Sequence, residues 1–284
     1  MPFTLSHPAA VLPLLRGPFS RAALVAGAVA PDMPYFVSTI GLPVGAQSWY
    51  EPFTNATTTH SLPGALTVGL PYTLALWAMF LAGHRPLASL SATASLPSLP
   101  LGPAGARAAG AVVRRAGWVL LSALIGIATH LVWDSFTHVD GFVVTRTPWL
   151  ESTLAGGLTW ARALQHMSTV GGLAAIAVYG WRGRARLRVG TGAAPRRVLL
   201  SLALCAAAGA VAHAWRWHAG PDAATAGQPL GAVLEGVLSD AAKGAGAGLI
   251  AALALYTAGW WIRRALTAGR GSGHQDGARA DVAA

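Results

Sequence analysis

The stretch "THLVWDSFTH", residues 129–138, carries His130, Asp134 and His138 at intervals of four. Residues four apart in an α-helix advance about 40° around its axis, so these three share one face. Imidazole nitrogens and carboxylate oxygens on one face can chelate a divalent cation, and the pairing suits zinc and ions like it. The chain has a single cysteine, Cys205. An intrachain disulfide and a cysteine-ligated zinc site are therefore both excluded.

The stripe closes one of the most apolar runs of the chain, "WVLLSALIGIATHLVWDSFTH". A lone histidine in such a run more often ties two helices together by a hydrogen bond. An aspartate there is expensive to hold in lipid, and points to function by default.

The composition supplies the setting. Of 284 residues, 54% are hydrophobic and only 11% charged. Soluble domains carry about 25% charged residues, so an integral membrane protein is the better class. The formal charge of +10 would suggest nucleic acid in a soluble protein. Here the arginines fall in short connecting segments, which points to membrane orientation and to no nucleic-acid partner. The first 32 residues lack the positive start and long apolar core of a cleavable signal, so insertion would rely on internal spans.

A spanning helix needs about 20 mostly apolar residues. The pattern predicts spans at Pro63–Gly83, Gly117–Phe136, Met167–Trp181, Val198–Trp215 and Gly246–Ile262, the third of them short. Segments 84–116, 182–197 and the tail after Ile262 hold arginines such as Arg85, Arg114, Arg184, Arg197 and Arg264. By the positive-inside rule these three are cytoplasmic. Segments 31–62, 137–166 and 216–245 then lie outside, and hold Asp32, Glu51, Asp140, Glu151, Asp222, Glu235 and Asp240 of the ten acids.

This orientation gathers further candidates at the outer level. Before the first span, "SHPAAVLPLL" and "SRAALVAGAVA" are each too short to cross a bilayer at about 1.5 Å per residue. Joined at "RGPFS" they make a short helical hairpin that brings His7 toward Pro31–Asp32. His60 begins the first span from outside, and His166 begins the third. Five histidines and two aspartates thus converge: His7, Asp32, His60, His130, Asp134, His138 and His166. Taken singly, His7 or His166 reads as helix tying rather than ligation. His84, His213 and His274 fall on the other side or in other elements.

The motifs "MPFTLSHPAAVLPLL", "GAVAPDMPYF", "TTHSLPG", "THLVWDSFTHVDG" and "LQHMS" resemble, in order and spacing over residues 1–180, an uncharacterised bacterial membrane family known as domain of unknown function 4184. More distantly, the same order of His, Pro-Asp, His, His-x-x-x-Asp, His and His resembles zinc-dependent phospholipase C and membrane-bound metal-dependent hydrolases. That resemblance implies His7, Asp32, His60, His130, Asp134, His138 and His166 as zinc ligands. It also implies metal-activated water acting on a phosphodiester. Where the phospholipase pattern has a glutamate four residues after its last histidine, this chain has Val170.

The expectation is an all-α, polytopic membrane helix bundle with about five transmembrane helices and the amino-terminal hairpin. Residues 1–182 form the membrane domain with the His/Asp constellation, 183–197 a basic cytoplasmic loop, 198–264 two further spans and 265–284 a disordered tail. The function expected is metal-dependent hydrolysis of a phosphoester in a lipid-like substrate at the outer face of a bacterial plasma membrane. Asp134 or Asp32 would bridge metal ions or accept the water proton. Two alternatives stand beside it: a transporter or channel, with Asp240 and Lys243 as a second polar pair, and a structural protein whose cluster only ties helices.

Overall fold

The computed structural model describes residues 4–38, 48–90, 106–183, 192–219 and 230–280, and for 106–109, 217–219 and 268–280 the backbone alone. The linker at 91–105 and most of the basic loop at 183–197 lie outside the described residues. Apart from one small hairpin, the described chain is helical. Among the described residues, four helical segments are long and apolar enough to cross a membrane: Leu62–Ala88, Gly110–Thr137, Ala193–Arg216 and Leu230–Thr267. The expected third span lies in the helix Trp160–Gly183, which is not among the four. Gln165, His166 and Ser168 at one end and Arg182 at the other bracket too short an apolar stretch.

The chain divides into two compact units, Met1–Phe80 with Pro97–Leu187, and Leu81–Leu96 with Arg188–Ala284. In the first unit, Thr4–Leu14 coils as a 3-10 helix that includes Pro8 and Pro13. Proline lacks the backbone donor, which disfavours an α-helix interior here. The α-helix Arg21–Val29 follows, with Ser20 as its N-cap accepting from the Ala23 amide. Val11, Leu24 and Ala28 bury together where these two short segments meet. The turn Ala30–Asp32 and the helix Met33–Val37 carry the chain onward.

The long helix Ala106–Thr137 is the centre of this unit. It buries Val119, Ser122, Ala123, Ile127, His130 and Asp134 along one stripe, the helical spacing of a single packed face. Against it lies Arg21–Val29, and the two backbones touch at Gly27 and Gly126. A Cβ on Gly27 would meet the Ala123 carbonyl and one on Gly126 the Leu24 carbonyl. Only glycine permits this approach. The Ser20 amide also donates to Ser122 Oγ at 2.9 Å.

Short helices Glu51–Thr54, Ala56–Thr59 and Leu62–Gly64 lead into a π-helical turn, Ala65–Gly69, and then the helix Leu70–Ala88. After the central helix, strands Thr153–Ala155 and Leu158–Thr159 pair antiparallel. Gly156 and Gly157, at φ 55° and 82°, make their turn. The helix Trp160–Gly183 packs on Thr4–Leu14, with Gly172 directly against Ser6.

In the second unit, Ala193–Ala219 packs along Leu230–Ala280. A Cβ on Gly209 would meet the Gly244 carbonyl, and one on Gly248 the Cys205 carbonyl. Small residues let backbones meet this way in apolar surroundings. Helical backbone runs on to Ala280, through most of the tail expected to lack structure. Lys243 donates to Asp240 at 2.8 Å, one turn away on the same helix.

Candidate metal centre

His130 and Asp134 stand one turn apart on the buried stripe of the central helix, with His130 Nε2 3.1 Å from Asp134 Oδ2. The glycine crossing positions His130: its Nδ1 donates to the Ala28 carbonyl at 2.8 Å. His60, at the end of the short helix Ala56–Thr59, donates its Nδ1 to the Ala56 carbonyl at 2.8 Å. A carbonyl only accepts, so each ring spends its Nδ1 proton on the backbone and turns Nε2 inward.

The two Nε2 atoms lie 3.3 Å apart. His60 Nε2 is also 3.1 Å from Asp134 Oδ2. Asp32 Oδ1 lies 3.6 Å from both Nε2 atoms. Thr59 fixes the Asp32 turn, because its hydroxyl is 2.6 Å from the Pro31 carbonyl and 2.9 Å from that of Ala56. Asp32, His60, His130 and Asp134 thus offer four ligand atoms, all within 4.8 Å of one another.

This donor set fits a divalent cation. Tetrahedral zinc bonds of about 2.0–2.1 Å separate ligand atoms by roughly 3.3–3.4 Å, and the five distances above scatter around that value. With Nδ1 committed to a backbone carbonyl, Nε2 is the nitrogen each ring has left to offer a cation. Two carboxylates add two negative charges, and Asp32 and Asp134 are fully or almost fully buried. Buried charge requires a partner or a metal. Histidine ligands elsewhere are oriented in the same way, by a second hydrogen bond from the outer ring nitrogen.

His7 and His138 border this group. His7 stacks on His130 with ring centroids 3.8 Å apart, and its Nε2 is 3.5 Å from Asp134 Oδ1. Both His7 nitrogens are buried without a hydrogen-bond partner, as is Asp134 Oδ1. Burial, and after it the neighbouring His130, pushes the His7 imidazole down to about 4. His138 Nδ1 is 3.5 Å from Asp134 Oδ2, and burial lowers that ring below the usual imidazole range.

His166 is not brought to the group. It lies on the exposed face of its helix, while Ala161, Ala163 and the adjacent Gln165 turn inward. One residue shifts the helical phase by about 100°, enough to turn His166 away. Tyr35 also faces this region, although a single tyrosine after "PDMP" carries no spacing signal in the sequence. Burial, and after it the charge of Asp32, pushes its phenol up to about 12.

Two cavities flank the centre. One of about 570 Å³ is lined by Tyr35, His60, Asp134, Ser135, His138 and Asp140 among others, and mixes polar with apolar walls. The other, of about 770 Å³, is almost wholly apolar and has His7 at its edge.

Neither a curated protein nor a solved structure matches the chain. A family profile does, over residues 1–258, which reaches well past the 180 residues that carry the motifs; the chain belongs to the family described as domain of unknown function (DUF4184).

Proposed function

We propose that the first unit is a membrane-embedded, metal-dependent hydrolase of phosphoesters, taking a lipid-like substrate at the extracytoplasmic face. One observation carries this reading: two imidazole nitrogens and two carboxylate oxygens from Asp32, His60, His130 and Asp134 lie within 4.8 Å of one another. When bound there, a divalent cation, zinc by preference, supplies Lewis-acid charge stabilisation and a more acidic water. Asp32, His60, His130 and Asp134 would hold it.

The chain's own groups supply the rest. Asp134 has one oxygen in the cluster and the other toward His7, so it is the better placed carboxylate to take a proton from attacking water. Asp32, with no exposed surface, offsets positive charge. His138 and Tyr35 line the polar cavity. There Tyr35, still protonated at neutral pH, can donate to a phosphoryl oxygen. Val170 stands where the phospholipase pattern has glutamate, so the ligand set differs from that pattern at one position.

Helix tying alone fits the cluster less well, because it leaves both Asp32 carboxylate oxygens, Asp134 Oδ1 and both His7 nitrogens buried without a hydrogen-bond partner. The arginine-rich segments support the orientation, with Arg188 and Arg264 in the cytoplasm and Glu151 outside. Reporter fusions after these three residues check it, and an exterior signal after Arg188 would reverse the placement of the site.

Hydrolysis is tested with purified, zinc-loaded protein and phospholipid, isoprenoid phosphate and nucleotide substrates. Chelator-sensitive release of a phosphate product from one of them is expected. Absence of release from all three, with metal still bound, would leave a structural metal site in its place.

A further inference from the structure

The larger cavity is a groove of about 770 Å³ between the 3-10 segment, the central helix and the helix Trp160–Gly183. Its walls include Val132, Trp133, Phe136, Leu164, Met167 and Ala175. Ligand pockets occupy roughly 300–1,000 Å³ and are mostly apolar with a small number of placed polar groups. Here the polar groups are Ser6, His7, Thr137 and Ser168. His7 both borders the groove and lies 3.5 Å from Asp134 of the candidate metal centre.

We infer that this groove holds the single hydrocarbon chain of an amphiphile whose phosphate reaches the metal centre. This rests on the hydrolase reading for the fate of the phosphate, but not for the binding of the chain. Three features select the occupant. The wall residues Val132, Trp133 and Phe136 belong to a segment apolar and long enough to cross a membrane, so the groove opens where acyl or prenyl chains are the solvent. No charged side chain lines it, so a peptide or nucleotide would leave polar groups unpaired there. The polar cavity at His60, Asp134 and His138 touches the same carboxylate as His7, which matches one apolar chain joined to one anionic group.

Gly171 lines the groove, and a Cβ built on it meets nothing within 4 Å. Gly171→Trp therefore fills the space without strain in the helix. The probe is hexadecyl phosphate with a diazirine at the chain end, applied to metal-loaded protein in nanodiscs and located by peptide mass. Labelling is expected in the peptides holding residues 132–137 and 164–175, and unlabelled hexadecyl phosphate should compete with it. Gly171→Trp should reduce the competed label at least about tenfold, the effect of excluding roughly two methylenes. Label spread over all apolar helices, uncompeted and equal in the variant, would overturn the inference. So would a change of oligomeric state in Gly171→Trp with labelling intact, since a second copy would then fill the groove. Localised label without hydrolysis would keep the groove and refute the hydrolase. Hydrolysis of 4-nitrophenyl methyl and hexadecyl phosphates with equal KM, together with diffuse label, would do the reverse.

Discussion

His60 and His130 point their Nε2 atoms at each other across 3.3 Å while each donates its Nδ1 proton to a backbone carbonyl. Two facing ring nitrogens at that distance call for a positive charge between them, a proton or a metal ion. Asp134 Oδ2 lies 3.1 Å from both nitrogens and adds negative charge at the same point. The sequence interval of 70 residues between the two rings is closed by the Ala28 carbonyl on one side and the Ala56 turn on the other.

Asp134→Asn keeps the size of the side chain and removes its charge. Bound zinc should fall sharply in this variant, and in Asp134→Ala, as measured by elemental analysis after dialysis. His166→Ala should retain the wild-type content, since His166 is exposed and outside the group. Equal losses in the two positions would contradict the ligand assignment.

Thr59 is fully buried and holds the His60 turn against the Pro31 carbonyl. Thr59→Val preserves shape and deletes the hydroxyl. Groups that orient ligands typically change metal affinity about 10–100-fold, so competition with a chromophoric chelator should show a weaker site that still fills at high zinc. Unchanged affinity would separate this turn from the site.

The crossing of Gly27 and Gly126 brings Ala28 to His130. Gly126→Leu should cost stability in the range of overpacked cores, about 1–3 kcal/mol or more, and should lower metal content with it. Gly117→Leu is the control on the same helix, because a Cβ there meets nothing within 4 Å. Thermal unfolding of the two variants in detergent checks the contrast, and equal midpoints would count against the crossing.

Tyr35 lines the polar cavity and keeps its proton to about pH 12. A hydrogen bond to a charged oxygen contributes about 1.5–3 kcal/mol, which corresponds to roughly a 10–100-fold loss of turnover in Tyr35→Phe. Metal content should not change. Full activity in this variant would remove Tyr35 from the reaction.

The stripe of His130, Asp134 and His138 is readable in the chain because helical periodicity makes intervals of four meaningful, and the central helix is a strongly apolar segment. Asp32 and His60 were reachable through membrane level, inferred from arginine placement. What spacing could not reveal is which nitrogen faces inward, since that depends on the carbonyls of Ala28 and Ala56. It also could not reveal the contact of Gly27 with Gly126, which is tertiary. His166 and Gln165 show the limit of the method: adjacent in sequence, they differ by about 100° of helical phase, and only packing decides which one is buried. The helix Trp160–Gly183 was legible as apolar, whereas its polar first turns set it apart from the four segments able to cross a membrane.

The central claim is that Asp32, His60, His130 and Asp134 hold a divalent cation. Metal content of the purified wild-type protein, set beside the double variant His60→Ala/His130→Ala, tests it most directly. The wild type should retain about one equivalent of a divalent metal after dialysis, the occupancy of one four-ligand site. At free zinc about 100 times its Kd, it should gain about 2.7 kcal/mol of stability. The double variant should show neither. A wild-type protein that stays metal-free after loading, with a melting midpoint that zinc does not shift, would contradict the account.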